Sequence, residues 1–257
     1  LLIGLVLGTL HKIDRQKLNS VVWAGVLSAF LVSFIAALGL NQLGAKFEGK
    51  TEQIYEGVTM LFAAGVLTWM IFWMQRQSRT FNSGLELDVR RATMQNGAKA
   101  LFLLAFLAVV REGIELVLFL TAAAMTTTGQ QTLGGALLGL ATAILLGWLL
   151  FTTTIKLDLA SFFKGTSVLL IFFAAGLVAY GIHEFNEAGL IPPIIEHVWD
   201  INPILDEKST LGSLLKALFG YNGNPSLSEI FAYLAYFVLI AFGLSRPAAV
   251  QPVVQEA

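Results

Sequence analysis

An all-α polytopic membrane protein is the fold class this sequence predicts, and three observations carry it. Hydrophobic residues make up 56% of the 257 positions and charged residues only 13%, where a soluble domain carries about 25% charged residues. Several apolar stretches reach about 20 residues, the length a helix needs to cross the hydrocarbon core of a bilayer. Lysine and arginine also alternate in density from one connection to the next, as they do in multi-pass proteins. A single transmembrane domain over 1–257 follows, with the lipid bilayer as its surroundings. The net charge of −1 offers no basic surface, which excludes nucleic acid as a partner. The absence of cysteine removes disulfides, thiolate metal sites and catalytic thiols.

The chain opens "LLIGLVLG", without methionine, a basic stretch or a small-residue cleavage site, so it does not resemble a signal peptide. It reads as a helix whose beginning precedes Leu1. Six complete spans follow at about 21–40, 54–74, 100–125, 133–155, 166–185 and 228–245. Seven transmembrane helices are therefore expected, the first of them truncated. Before the last span, Pro225 is followed by "SLSE", where Ser226 and Glu229 fit a capping box. The segment "SLLKALF" (213–219) is too short to cross and is expected at the interface or packed on the protein.

With the opening remnant counted as span one, the loops after spans one, three and five and the C-terminal tail hold 11 of the 16 Lys and Arg residues. The loops after spans two, four and six hold four, and the last cation, Arg111, lies within a span. The positive-inside rule then puts the N-terminus outside and the C-terminus in the cytoplasm. The loop over about 186–227 falls outside. It carries five acids (Glu187, Glu196, Asp200, Asp206 and Glu207) against two lysines.

The tetrapeptide "FAAG" begins at Phe62 and again at Phe173, an offset of 111 residues. Two three-helix units, over about 1–75 and 98–187, would then repeat in inverted orientation ahead of a C-terminal helix. The same offset places the counterpart of Arg111 immediately before Leu1.

The costliest stretch is "FLAVVREGIELVLFL" (106–120), with Arg111, Glu112 and Glu115 in otherwise apolar sequence. Near the bilayer centre each charge costs about 2.5–3.5 kcal/mol on insertion scales, so the three cost about 8–10 kcal/mol uncompensated. In a helix Glu112 and Glu115 share a face, and Arg111 reaches Glu115 four residues on. Gly113 lets a neighbouring helix or a ligand approach the backbone. Two readings are open. In one, Arg111 and Glu115 form a structural ion pair. In the other, two carboxylates with one cation nearby form a pathway for a cation or a proton.

Other polar groups accompany the apolar spans. Glu56, followed by Gly57, opens the third span as a site carboxylate or an interfacial one. His183 and Glu187, near the end of the sixth span, are four residues apart and share a face. His183 reads as a ligand or as a histidine satisfied at a helix end. Trp69, Trp73, Tyr180 and Tyr221 are expected in the interfacial belts. A donor set of carboxylates with at most one imidazole suits hard or borderline cations such as Fe, Mn, Mg and Ca.

Taken together, "REGIE" in the fourth span, "EGV" and "LTWMIFWM" in the third, and "HEFNEAGL" after the sixth resemble the iron permease family. These are the oxidase-coupled iron transporters of fungi and their bacterial relatives. The likeness extends to "FGYNGNPSLSEI" before the last span. It implies an importer whose cargo is iron, ferrous or ferric, with no organic cofactor, in the plasma or bacterial inner membrane. It also implies an external ferroxidase or iron-delivery partner. The resemblance assigns Arg111, Glu112 and Glu115 to the second of two such motifs and sets the first ahead of Leu1. Family members often carry His before the acid of the sixth-span motif, where this chain has Asn186 and then Glu187.

Two rivals remain at the level of sequence. A carrier of manganese or another divalent cation needs the same oxygen ligands. An intramembrane metal-dependent enzyme needs a tighter histidine motif such as H-E-x-x-H, which the chain lacks.

Overall fold

The computed structural model describes residues 2–12, 14–44, 46–77, 97–126, 129–152 and 159–245. Among them are eight α-helices: α1 (Leu2–Lys12), α2 (Asn19–Gly44), α3 (Lys50–Gln77), α4 (Ala98–Thr126), α5 (Gly129–Thr152), α6 (Leu159–Glu187), α7 (Thr210–Phe219) and α8 (Leu227–Ser245). The six complete spans expected from apolar runs appear as α2 to α6 and α8, most of them a few residues longer at each end. Polar residues such as Asn19 and Asn41 in α2, and Lys50 and Gln75 in α3, continue those two helices past the hydrocarbon stretch.

Asn19–Gly44, Lys50–Trp73, Lys164–Glu187 and Leu227–Ser245 are long and apolar enough to cross a membrane. At 29 residues α4 has the length, but its middle holds the three charges. Large apolar side chains crowd the outer surface of these helices, including Leu27, Phe30, Phe62, Val238 and Leu239. Water would oppose so extensive an apolar surface, whereas lipid tails match it. The protein is a multi-pass helical membrane protein.

Close contacts fix how the helices run. A Cβ on Gly25 would meet Phe102 O and Ala105, and one on Gly113 would meet Ser33, so α2 and α4 lie parallel. Gly57 approaches Gly181 and Phe185, while Gly181 approaches Leu61, so α3 and α6 run antiparallel. Between them lies the main core of Met60, Ala63, Ala64, Leu67, Ala174, Ala175, Leu177 and Tyr180, joined by Ala122, Tyr236 and Ile240. Both "FAAG" stretches thus give their alanines to one core. Small residues let backbones approach where lipid supplies no hydrophobic drive between helices. A second cluster joins Val6 and Leu10 of α1 to Val22 of α2 and to Leu101 and Ala105 of α4.

Helix α7 packs on the protein, one of the two placements expected for the short apolar segment. Ser209 caps its start by accepting from Gly212 N, and Gly220 ends it with φ 68°. That left-handed conformation favours glycine. A Cβ at Gly176 would lie 2.6 Å from the Gly220 Cα, so α6 and the end of α7 nearly touch. Phe172 of α6 meets the Phe219 and Phe237 rings edge-on, which closes α6, α7 and α8 into one unit.

Candidate functional site

The three charges of α4 sit at its midpoint, Glu112 being 14 residues from both Ala98 and Thr126. At 1.5 Å per residue that is about 21 Å from either end. Arg111 Nε donates to Glu115 Oε1 at 3.1 Å, the i, i+4 pair that helical spacing predicts. The guanidinium also lies 4.5 Å from the Trp69 ring and 4.6 Å from the Trp73 ring, one turn apart on α3. The Arg111 side chain is 37% exposed, and a cation over an indole face in such a position gains about 1 kcal/mol. These two tryptophans therefore do more than the expected belt role. Trp69 still turns part of its surface outward, at 53% exposure.

Glu115 is mostly covered, whereas Glu112 is exposed and has no hydrogen-bond or ion-pair partner among the described residues. Behind them Ser33 occupies the space that a Cβ on Gly113 would need. Gly113 thus serves close packing of α2 against α4. The arginine is satisfied by one carboxylate and two rings, which leaves the second carboxylate free to take a cation.

A second group of polar side chains gathers at one end of the bundle. Four elements meet there: the start of α3, the end of α6, the loop after α6 and the start of α8. His183 Nδ1 is 3.0 Å from Glu229 Oε1, and its Nε2 is 3.3 Å from Glu187 Oε1. Gln53 of α3 donates to Glu187 Oε2 at 2.9 Å. Glu56 is half-buried, and Glu52, Glu184 and Glu187 are the like charges around it. Glu52 and Glu56 line a cavity of about 420 Å³ between α2, α3 and α4. A neighbouring cavity of about 270 Å³ is bounded by Tyr180, His183, Glu184, His197, Glu207 and Lys216. Met125, near the end of α4, lines both.

The predicted site residues thus fall into two groups along the molecule. Arg111, Glu112, Gly113 and Glu115 lie mid-helix, and Glu56, His183 and Glu187 lie at the mouth. Among the described residues no three His, Asp or Glu side chains converge to hold a metal ion. Both ring nitrogens of His183 already face carboxylates, so ligation requires release of Nε2 from the exposed Glu187. Asn186 points elsewhere, donating to Ser226 Oγ and Ser228 Oγ at 2.9 Å each and tying α6 to the start of α8.

Sequence reasoning read Glu229 only as half of a capping box. Its carboxylate is buried and accepts from Ser226 N at 3.2 Å and from Asn222 Nδ2 at 2.6 Å, besides facing His183. The capping box with Ser226 is formed, since Glu229 N donates to Ser226 Oγ at 3.3 Å. The signal available was a carboxylate at a helix start that had more acceptor positions than a cap uses.

The model of the iron permease FTR1 family matches residues 1–251. The chain belongs to this iron permease family. Ferrous iron permease EfeU of Shigella sonnei (strain Ss046) is 38% identical over 248 residues, which cover 95% of this chain and 90% of that protein. Ferrous iron permease EfeU of Yersinia pestis is 36% identical, covering 95% and 88%. A relative in Escherichia coli (strain K12), also 38% identical over 95% and 90%, has the word inactive in its ferrous iron permease name. No solved structure matches the chain. The family match covers nearly the whole chain, so the mid-helix triad and the cluster at the end of the bundle both lie within it.

Proposed function

We propose that this protein is a permease that imports iron across the cell membrane, with Glu112 and Glu115 coordinating the ion midway. The observation that carries the reading is Glu112, a carboxylate without a partner among the described residues, at the middle of an apolar helix beside a neutralised Arg111–Glu115 pair. An unpaired charge at that depth is costly, and such residues in membrane proteins mark ion pathways. The arginine lowers the cost of the empty site and keeps its affinity low enough for release.

Seven spans with the N-terminus outside and the C-terminus in the cytoplasm follow from the distribution of Lys and Arg. In that orientation the mouth cluster faces outward. Glu56 and Glu187, with His183 between acids, receive the ion there before it passes to α4. The antiparallel packing of α3 on α6 supports two three-helix units in inverted orientation. An external ferroxidase or iron-delivery protein would dock on the loop over 188–226. The reaction is transport, and no side chain is assigned to bond chemistry.

The test is iron uptake into proteoliposomes by full-length protein, comparing wild type with Glu112→Gln and Glu115→Gln. Uptake by the wild type that is lost in folded variants supports the reading. Full uptake in both variants would return the triad to a purely structural role. Transport of manganese but not iron would change the cargo.

A further inference from the structure

The cavity of about 270 Å³ at the mouth already contains a cation, and it is part of the chain. Lys216, on α7, turns its side chain inward, where it is 18% exposed. Its Nζ stands 4.5 Å over the Tyr180 ring and 3.7 Å from Glu207 Oε2. That separation is an ion pair without a hydrogen bond, so among the described residues the ammonium is held by charge and by the ring face. Glu207 is anchored through its other oxygen, where Gly223 N donates at 2.6 Å. The oxygen facing Lys216 is therefore fixed in place whether or not the lysine is there.

The remaining walls supply acceptors for a harder cation. Glu184 lines the same cavity, as do Asn222 and Asn224. Asn224 N donates to Asn222 Oδ1, which orients that pair. Asn224 Oδ1 is buried with no hydrogen-bond partner among the described residues, a costly state for an acceptor. Turned toward the cavity that its residue lines, this oxygen would gain an entering cation as a partner. Charge arithmetic points to the same occupant. With His183 and His197 neutral and both acids ionised, two carboxylates and one ammonium leave a single negative charge, whereas the cavity without the ammonium presents two and matches a divalent ion.

We infer that this cavity is a divalent-cation site guarded by Lys216, whose ammonium occupies it at rest and is displaced when a metal ion binds. Swinging out along the flexible lysine stem exchanges one cation for another without leaving either carboxylate unpaired. Guarding of this kind makes the outer site weak, as an ion that must move on requires. The role of the site in import rests on the proposed function, but its existence does not.

The experiment is binding of Mn²⁺ alone, followed by the electron paramagnetic resonance signal of the free ion, to full-length protein in nanodiscs. Lys216→Met keeps the stem over Tyr180 and removes the charge, and it is expected to tighten binding by about tenfold or more. Adding Glu207→Gln to it should abolish the gain, and Lys216→Arg should bind as weakly as wild type. If Lys216→Met does not fold, Lys216→Gln takes its place. Affinity in the uncharged variant equal to or weaker than wild type overturns the inference, as does equal tightening in Lys216→Arg. Iron uptake measured in parallel separates the two proposals. Tightening without iron transport by wild type leaves the guarded site and removes the import reading, and transport with unchanged Mn²⁺ affinity does the reverse.

Discussion

His183 Nδ1 and Glu229 Oε1 are 3.0 Å apart across the contact between α6 and α8. This contact ties the last helix to the mouth of the bundle through a carboxylate that is only 3% exposed. Glu229→Ala would leave three donors facing an empty space: His183, Asn222 Nδ2 and Ser226 N. Breaking a buried pair costs about 3–5 kcal/mol, and the partly exposed histidine puts this one near the lower end. Glu229→Gln retains an acceptor oxygen and should lose less. Thermal unfolding in detergent measures both, and an alanine variant as stable as wild type would show the contact to be incidental.

The placement of Arg111 against both the Trp69 and Trp73 rings makes lysine a poor replacement, because an ammonium lacks the flat face of a guanidinium. Arg111→Lys is expected to unfold at lower temperature although the charge is kept. A double-mutant cycle of Arg111→Gln with Trp73→Leu should show a coupling of about 1 kcal/mol. Strictly additive losses would mean that the ring and the guanidinium do not interact.

What the sequence made legible is what local geometry determines. Apolar runs of span length gave the helices, and helical spacing gave the Arg111–Glu115 and His183–Glu187 pairs, each four residues apart. The contacts that escaped it join residues far apart in the chain. His183 and Glu229 are 46 positions apart, and Asn186 and Ser226 are 40 apart. Trp69 and Trp73 read as belt residues because nothing in α3 alone reports that the arginine of α4 lies against them. Tyr180 read the same way. It is buried instead, its hydroxyl donating to Tyr221 O at 2.6 Å, because α7 and the following turn cover that part of α6. The capping box was correctly read, but the further partners of Glu229 come from helix packing, which one sequence does not encode locally.

Two glycines on α3 should respond oppositely to alanine. A Cβ on Gly57 would lie 2.6 Å from Phe185 Cε1 and 3.0 Å from Gly181 O. The ring can shift but the backbone oxygen cannot, so Gly57→Ala should cost about 1–3 kcal/mol by pushing α3 from α6. It would also carry the adjacent Glu56 away from Glu184 and Glu187. At Gly65 a Cβ meets nothing within 4 Å, and alanine there should gain up to about 1 kcal/mol of helix propensity. Unfolding temperatures of the two variants decide it, and equal shifts in the same direction would contradict the close crossing.

The two acids of the triad should separate stability from transport. Glu115→Gln takes the carboxylate from Arg111, leaving a guanidinium at mid-helix with the two rings and a neutral amide. That variant should unfold more readily than wild type. Glu112→Gln removes a charge that no described residue balances, so stability should hold or rise, by at most the roughly 2.5–3.5 kcal/mol that insertion scales assign to a central charge. Under the proposed function both variants lose iron uptake, and only the first loses stability. Unfolding curves and uptake on the same preparations read the two effects separately. If Glu112→Gln proved the less stable of the two, Glu112 would have a partner within the fold, and the unbalanced carboxylate on which the proposed site rests would be lost.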